Sequence, residues 1–369
     1  MSVFIKECNS SNVEEILPLL KKDVKVYNFD GDSVLLDDIV ICSKKDLDFL
    51  ELNKWKYKCL IYEDVYKSII NNLSSEYYYN YDYYHLKYEL EKAKTKDIDT
   101  LITGSSYGVF GIDLGNTSRA VNLSMISQDL YYSLRGIYDV CAVNEGIKNI
   151  VLCTSYYYFF NDLSRTQNQE EISRVAKVYD PLFQDIHSCV LLSPKYDILF
   201  KSEIFNIPLL METLVKQECA KGYFNNNHKR KDYATRCWSN KERDWSELSE
   251  EEKTEAGLIR ASLHMEGCKY INSFYENRIY FEDFVDFTTE RGINLLLVVP
   301  PHSKHYAKHI TENCKNFFFD AIEGKNCYLL DLSNDQQFDE EDYNDADHLN
   351  DVGAVKMTRM ILERISSFV

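Results

Sequence analysis

The sequence predicts an α/β protein built on a parallel sheet. Short apolar runs of strand length alternate along the chain with segments of helical periodicity, which is the pattern of strands joined by crossover helices. The 369 residues suffice for one large domain or two of ordinary size. The composition, 45% apolar and 27% charged, is that of a folded globular chain.

Residues 1–97 are predicted to form a separate small α/β domain. Strands are expected at Val24–Tyr27, Asp38–Cys42 and Tyr57–Tyr62, with helices between them. A tyrosine-dense stretch, residues 76–91, follows. It fits an amphipathic helix that packs its rings on the core, and an aromatic platform for sugars is the alternative.

The second domain is expected over residues 98–369, where the alternation is clearer. Between its third and fourth strands, residues 160–290 are mainly polar with helical periodicity, so we predict a helical insertion there. The predicted strands of this domain are Thr100–Thr103, Ala120–Leu123, Lys148–Thr154, Asn294–Val299 and Cys327–Leu332, and an amphipathic helix closes the chain at Val352–Ser367.

Charge and hydropathy exclude several classes of protein. The net charge of −17 argues against nucleic-acid binding, because a protein that tracks a phosphate backbone needs a basic surface. The N-terminal sequence lacks the pattern of a secretory signal, and no apolar run approaches the roughly 20 residues that span a bilayer. We therefore expect a cytoplasmic protein without membrane insertion. The eleven cysteines form no Cys-x-x-Cys pair, which favours free thiols.

Two stretches carry residues typical of catalysis. Gly104-Ser105-Ser106 directly follows the first strand of the second domain, and ligands of open α/β sheets bind at the carboxyl ends of strands. Asp345 and His348 lie between the final strand and the final helix. An Asp three residues before a His can hydrogen-bond Nδ1 and leave Nε2 free as a base. Such a base would activate the poorly nucleophilic hydroxyl of Ser106.

Each of these residues also has a structural interpretation. Ser106 could cap a turn, and His348 could be a loop histidine. Asp347 is the less favourable partner for His348, because adjacent residues give poorer ring geometry than the i, i+3 turn from Asp345. Together, the serine and the distant Asp-x-x-His favour a catalytic triad over three independent structural roles.

These motifs resemble those of the GDSL/SGNH hydrolase superfamily. The likeness is closest to the branch with Gly-Ser-Ser in place of Gly-Asp-Ser, which includes proteins of cell-wall and capsule polysaccharide acylation and deacylation. It covers residues 98–369 apart from the insertion. The resemblance implies a flavodoxin-like three-layer αβα fold in which Ser106 is the nucleophile, His348 the general base and Asp345 the orienting acid.

The resemblance also implies an oxyanion hole. Two donors would be the backbone N–H groups of Ser106 and Ser127, with Ser127 at the start of the helix after the second strand. The family's third donor is an Asn side chain after the third strand, where this chain has Tyr156. Three alternatives follow: Tyr156 substitutes, Asn161 reaches in, or the hole has only two donors.

One further histidine, His302, follows the fourth strand and is a candidate substrate contact. His305 and His309 are spaced i, i+4, as in some metal sites, but no third ligand of matching spacing is evident. We predict no metal site and no requirement for an organic cofactor.

A glycine-rich turn offers a competing interpretation. Gly104, Gly108 and Gly111 approximate the phosphate-binding turn of short-chain dehydrogenases that use NAD(P). Phe110 stands where the last glycine is expected, and no acidic residue ends the strand Ala120–Leu123, where the ribose would bind. A catalytically inactive protein that binds glycans or acts as a scaffold is the third alternative.

The predicted function is serine-dependent hydrolysis or transfer of an O-acyl group. The resemblance implies an O-acetyl group on a carbohydrate or glycoconjugate, with an acyl donor as a second substrate in the transferase case. The sequence does not distinguish esterase from transferase, because both use the same triad. It leaves the oligomeric state open as well.

Overall fold

The computed structural model describes residues 2–5, 25–28, 39–42, 58–61, 81–115, 119–187 and 243–368. The chain divides into two compact units, Met1–Lys87 with Leu163–Lys229, and Tyr88–Asp162 with Arg230–Val369. The predicted boundary was at residue 97, and the prediction counted residues 163–229 in the second domain. Residues 188–242 of the predicted insertion, and the predicted N-terminal helices, lie outside the described residues.

The first unit contains a four-stranded sheet in the order β2-β1-β3-β4, and all of its strand pairs are parallel. Each predicted N-terminal strand lies within one residue of an observed one at both ends. The first strand of the chain, Ser2–Ile5, had not been predicted. The strands are β1 Ser2–Ile5, β2 Lys25–Asn28, β3 Ile39–Cys42 and β4 Lys58–Ile61.

The second unit contains a five-stranded, all-parallel sheet in the order β6-β5-β7-β8-β9. Every residue of β5 is buried, and β7 and β8 are buried after their first residue. Continuous apolar burial is typical of parallel strands covered on both faces. The strands are β5 Thr100–Gly104, β6 Ala120–Asn122, β7 Asn149–Cys153, β8 Asn294–Val299 and β9 Tyr328–Asp331.

Ten α-helices lie in the described part of the chain, and none of them is long and apolar enough to cross a membrane. They are α1 Tyr81–Ala93, α2 Ser106–Gly111, α3 Leu130–Cys141, α4 Gln169–Arg174, α5 Asp180–Phe183, α6 Glu250–Gly267, α7 Ile271–Glu290, α8 Lys304–Ala307, α9 Glu312–Ile322 and α10 Asp351–Ser366.

The strand order reverses direction at β5, because the chain passes outward to β6 and then returns to form β7 on the other side. This order, 2-1-3-4-5 within the unit, is the one found in flavodoxin-like sheets. In sheets of this order the loops after the two strands at the reversal, here β5 and β7, diverge, and ligands bind beside them at the carboxyl edge.

A hydrophobic core beneath the sheet fixes the loop between β9 and α10. Strand residues such as Ile102 and Val298 belong to one buried cluster with Met357 of α10. Ala346 and Leu349 belong to the same cluster, and both are almost completely buried. Because these two residues flank Asp347 and His348, packing of the core sets the position of the polar residues between them.

Candidate active site

The turn after β5 can be formed only with glycine at its corner. Gly104 has a φ of +138°, and a Cβ added there would lie 2.1 Å from the carbonyl oxygen of Cys153 on β7. The chain then passes through Ser105, the N-cap, into α2, whose first residue is Ser106. Where the glycines and serines of this stretch predict a tight loop, the structure has a short helix that begins at the predicted nucleophile.

The other glycines of this stretch serve close packing. A Cβ on Gly108 would lie 2.0 Å from Oγ of Ser124, and one on Gly111 would lie 2.9 Å from Sδ of Met357. The glycine spacing that approximates a dinucleotide-binding turn is therefore explained by the contacts of α2 with the β6–α3 loop and with α10.

The segment 343–349 forms a closed turn that carries the predicted base. Tyr343 and Leu349 pair as an antiparallel bridge, and the backbone N–H of Asn344 donates to the carbonyl of His348 at 2.8 Å. Oδ1 of Asp345 accepts from the backbone N–H groups of Asp347, at 2.9 Å, and His348, at 2.8 Å. Asp345 thus shapes the turn through its own side chain, as Asp commonly does.

The three predicted catalytic side chains meet at the carboxyl edge of the sheet. Nε2 of His348 lies 2.8 Å from Oγ of Ser106, and Nδ1 lies 3.0 and 3.1 Å from the two carboxylate oxygens of Asp345. Asp347 is farther away, with its nearer oxygen 3.6 Å from Nδ1. The carboxylate within hydrogen-bond distance of the imidazole is therefore that of Asp345.

The electrostatics of the turn favour a protonated imidazole. Burial acts to lower the pKa of His348, but the carboxylates of Asp345 and Asp347 outweigh it, so the pKa is raised above 6.5. The hydrogen bond that Nδ1 of His348 donates to Asp345 also raises this pKa. His348 is therefore a stronger base than a free imidazole.

A second carboxylate, Asp347, lies completely buried beside the first. Its Oδ1 accepts from Nε of Arg260 on α6 at 2.9 Å, and its Oδ2 accepts from the hydroxyl of Tyr107 on α2 at 3.0 Å. Burial alone would raise the pKa of Asp347, but the charges of His348 and Arg260 lower it by a larger amount. The pKa of Asp347 is therefore well below its usual range. Asp347 is thus an anion at neutral pH.

A layer of phenols and imidazoles covers this carboxylate. The hydroxyl of Tyr157 donates to that of Tyr107 at 3.1 Å and lies 3.2 Å from Nε2 of His264. Nδ1 of His264 lies 2.6 Å from the hydroxyl of Tyr306, and the rings of Tyr157 and His264 stack at 4.1 Å. Burial lowers the pKa of His264 to about 3, so this imidazole is neutral. Tyr107, Tyr157 and His264 had not been predicted as site residues, whereas the sequence around His302 had also made Tyr306 a candidate substrate contact.

A cavity of about 480 Å³ opens beside the turn. Its floor includes Asp345 and His348, and the half-exposed side chain of Arg260 forms part of its wall. The remaining wall is mostly apolar and includes Trp245, Leu248, Ala256, Ile259 and Leu263. Helix α6, which lies within the predicted insertion, therefore supplies much of the surface next to His348.

The predicted oxyanion residue Ser127 lies in a turn and not at a helix start, so that part of the prediction is wrong. Helix α3 begins at Leu130, because Asp129 is the N-cap and accepts from the backbone N–H of Tyr132 at 2.9 Å. Ser127 has a φ of 53°, and the backbone N–H of Met125 in the same turn donates to the carbonyl of Gly104 at 3.1 Å. This bond holds the turn against the end of β5.

The hydroxyl of Tyr156 and the backbone of Asn161 have partners outside the predicted triad. The hydroxyl of Tyr156 donates to Asp331 at 2.6 Å and lies 2.9 Å from Oγ of Ser333, so its proton is directed to the end of β9. The backbone carbonyl of Asn161 accepts from Asn277 at 3.0 Å on α7. These contacts leave the third oxyanion donor without a structural assignment.

His302 packs within the aromatic layer. Its ring lies 5.5 Å from that of Tyr107 and 4.9 Å from that of Tyr306, and only 5% of the residue is exposed. Burial lowers the pKa of His302 to about 4, so the imidazole is neutral. Its proposed contact with substrate stays a prediction.

The site also offers a cluster of potential metal ligands. Donor atoms of Asp345, Asp347 and His348 lie within 4.8 Å of one another. Asp347, however, already binds the guanidinium of Arg260, and Nδ1 of His348 is occupied by Asp345. A cation beside Arg260 would be repelled, so the residues present do not fit a metal.

No family model and no curated protein matches the chain. Among solved structures, one described as "The structure of a putative platelet activating factor from Streptococcus pneumonia" matches with a TM-score of 0.36 and 10% sequence identity. The match covers 79% of this chain and 98% of that chain. At this identity and TM-score, the likeness does not establish a shared fold or activity.

Proposed function

We propose that the chain is a serine-dependent enzyme that hydrolyses or transfers O-acyl groups through an acyl-enzyme. The observation that carries the proposal is the line of hydrogen bonds from Ser106 Oγ to His348 Nε2, at 2.8 Å, and from His348 Nδ1 to Asp345, at 3.0 Å. A hydroxyl, a base and an orienting carboxylate in this order define the catalytic triad whatever the chain order.

In the first half of the reaction, Oγ of Ser106 attacks the ester carbonyl carbon while Nε2 of His348 takes the hydroxyl proton. Asp345 stabilises the imidazolium that forms and keeps the remaining ring proton on Nδ1. The tetrahedral intermediate collapses as the C–O bond to the alcohol breaks, and His348 returns the proton to the departing alkoxide. The acyl group remains bound to Oγ of Ser106 as an ester.

In the second half, His348 activates either water or an acceptor hydroxyl. Attack on the acyl-serine releases a carboxylic acid in the first case and a new ester in the second, and Ser106 recovers its proton. Backbone N–H groups at the start of α2 and in the Ser127 turn are our proposed oxyanion donors. A single such donor contributes roughly 100- to 1,000-fold in rate.

We further propose a three-layer flavodoxin-like arrangement of the catalytic unit and a carbohydrate O-acetyl ester as the substrate. The strand order supports the first proposal. The second rests on the resemblance of Gly104-Ser105-Ser106 and Asp345-x-x-His348 to the polysaccharide-acylating branch of the SGNH superfamily.

Covalent labelling tests the nucleophile. A fluorophosphonate reacts with an activated serine by forming an O–P bond and releasing fluoride, and intact-mass spectrometry counts the adduct. We expect one adduct on the wild type, mapped to Ser106 by peptide sequencing, and none on Ser106→Ala. Ser105→Ala is the matched control, because it removes the neighbouring hydroxyl while leaving the triad intact.

Labelling that persists in Ser106→Ala would contradict the assignment. Turnover of p-nitrophenyl acetate, with and without a carbohydrate acceptor, separates the two reaction classes. A hydrolase yields acetate in both cases, whereas a transferase yields an acetylated carbohydrate. Saturable NADPH binding without labelling would support the dehydrogenase alternative instead.

A further inference from the structure

The catalytic pair is accompanied by a second, parallel link between the same two segments. Ser106 on α2 bonds to His348, and the next residue, Tyr107, bonds to Asp347, which precedes His348. The two hydrogen bonds, 2.8 and 3.0 Å long, thus join consecutive residues to consecutive residues. Sliding of the turn along α2 would break both at once.

We propose that Tyr107, Asp347 and Arg260 form a positioning clamp that holds His348 against Ser106. The inference rests on the proposed function, because it concerns how the base is held for the nucleophile. None of the three clamp residues acts on the substrate. Asp347 is the centre of the clamp, Tyr107 ties it to the nucleophile's helix, and Arg260 ties it to α6.

Burial makes the clamp rigid. Asp347 has no exposed side-chain surface, and an isolated buried carboxylate is costly unless it is paired and hydrogen-bonded. Arg260 supplies the opposite charge and Tyr107 satisfies the second oxygen. Removal of either partner leaves a buried charge or acceptor unsatisfied, so Asp347 is held in one position between them.

The aromatic layer fixes Tyr107 in turn. Its hydroxyl, while donating to Asp347, accepts from Tyr157, and its ring lies 5.4 Å from the imidazole of His348. Because His264 beside Tyr157 is neutral, it contributes no charge to balance Asp347. Arg260 and the charge of His348 therefore compensate this carboxylate, and Arg260 also donates a hydrogen bond to it at 2.9 Å.

The clamp also affects the charge of the base. His348 faces the carboxylates of Asp345 and Asp347, the guanidinium of Arg260, the neutral imidazoles of His264 and His302, and the phenol of Tyr107. Asp347 favours the protonated imidazole and Arg260 disfavours it. Removing Asp347 alone should therefore lower the pKa of His348, and removing Arg260 alone should raise it.

Histidine NMR titration tests the clamp without requiring turnover. The imidazole signals of His348 are assigned by comparison with His348→Asn, and midpoints are measured in Asp347→Asn and Arg260→Gln. We expect the midpoint to fall in Asp347→Asn and rise in Arg260→Gln, each by about one pH unit or more. Arg260→Lys, which keeps the charge, should lie closer to the wild type than Arg260→Gln.

Tyr107→Phe provides a milder variant that retains the ring. We expect its fluorophosphonate inactivation rate to fall about tenfold, because loosened positioning of the base slows the chemical step. The KM for p-nitrophenyl acetate should stay within twofold of the wild type. Tyr158→Phe is the matched control: its buried hydroxyl bonds to Ser133 and the Asp129 carbonyl, so stability should fall without a change in inactivation rate.

Equal midpoints in the wild type, Asp347→Asn and Arg260→Gln would overturn the clamp, as would shifts in the same direction. An unreduced inactivation rate in Tyr107→Phe would overturn the positioning role of its hydroxyl. A wild type that takes no fluorophosphonate label would remove the proposed function instead, and the His348 midpoints would still decide whether the clamp exists.

Discussion

Asp345→Asn should reverse the tautomer of His348. Oδ1 of Asp345 accepts from two backbone N–H groups, at 2.8 and 2.9 Å, so the amide oxygen of Asn must occupy that position. The amide nitrogen then takes the place of Oδ2, which at 3.0 Å is the nearer oxygen to Nδ1, while the oxygen at the Oδ1 position, 3.1 Å from Nδ1, already accepts from two backbone N–H groups. An amide N–H donates, so Nδ1 becomes the acceptor and the ring proton moves to Nε2. That nitrogen can no longer accept the proton of Ser106.

The expected loss is large in rate and small in stability. A wrong tautomer in a serine triad lowers kcat by about 10⁴, and we expect 10³- to 10⁴-fold here, equal to about 4–5 kcal/mol in activation free energy. The two backbone hydrogen bonds to the side-chain oxygen persist, so the turn should keep its shape and the free energy of unfolding should change by less than about 1 kcal/mol.

Steady-state hydrolysis of p-nitrophenyl acetate measures kcat, and urea titration measures stability. Asp342→Asn is the matched control in the same loop, because this buried carboxylate bonds to Lys356 at 2.6 Å and does not contact the triad. It should lose stability and keep kcat. If Asp345→Asn kept more than a tenth of the wild-type kcat while folded, the tautomer argument would be refuted.

Three further outcomes are expected. The kcat/KM for p-nitrophenyl acetate should rise with pH along an acid limb above 6.5, because neutral His348 is the base and its pKa is raised; a limb at or below 6.5 would count against this electrostatic account. Gly104→Ala should lose roughly 3 kcal/mol or more in urea unfolding, since its Cβ would meet the Cys153 carbonyl at 2.1 Å, and a loss below 1 kcal/mol would contradict the close contact. Asn350→Ala should lose about 2 kcal/mol by the same measurement, because Oδ1 of this N-cap accepts from Val352 and Gly353 and its amide donates to the Glu341 carbonyl; an unchanged midpoint would show that water replaces the cap.

Features that depend on neighbours in sequence could be predicted well. Strand β8 was predicted at Asn294–Val299, which is its observed position. A strand that is buried on both faces is a continuous apolar run, so its two ends can be located in the sequence. The spacing of Asp345 and His348 indicated a side-chain hydrogen bond, since three residues of turn fix that geometry locally.

Helix limits were less predictable, because caps compete with periodicity. The periodicity of residues 303–322 predicts one helix, whereas the structure has two, α8 and α9. Thr311 caps the second helix and accepts from the backbone N–H of Cys314 at 3.3 Å. Asp129, in the same way, is the N-cap of α3, the helix whose start had been placed at Ser127. In a polar stretch several side chains could cap a helix, and the sequence does not show which of them bonds to the backbone.

The buried carboxylate and its guanidinium could not be predicted at all. Arg260 lies on α6 within a long polar segment, and its partner Asp347 is 87 residues away. In the sequence, Arg260 is one of 42 basic residues and Asp347 is an acidic residue beside a histidine. Only the packing of α6 against the turn distinguishes this pair from solvent-exposed charges.

The closed turn at residues 343–349 bears on how the proposed activity would respond to heat. Asp345 and His348 lie in one short turn with its own hydrogen bonds, so the orientation of the imidazole relative to its carboxylate is held locally. The approach of His348 to Ser106, by contrast, depends on residues 242 positions apart. Loosening of the turn at the start of α10 would separate base from nucleophile while the sheet is still intact. Thermal inactivation should then precede the loss of β-sheet circular dichroism, and cooling before that loss should restore activity.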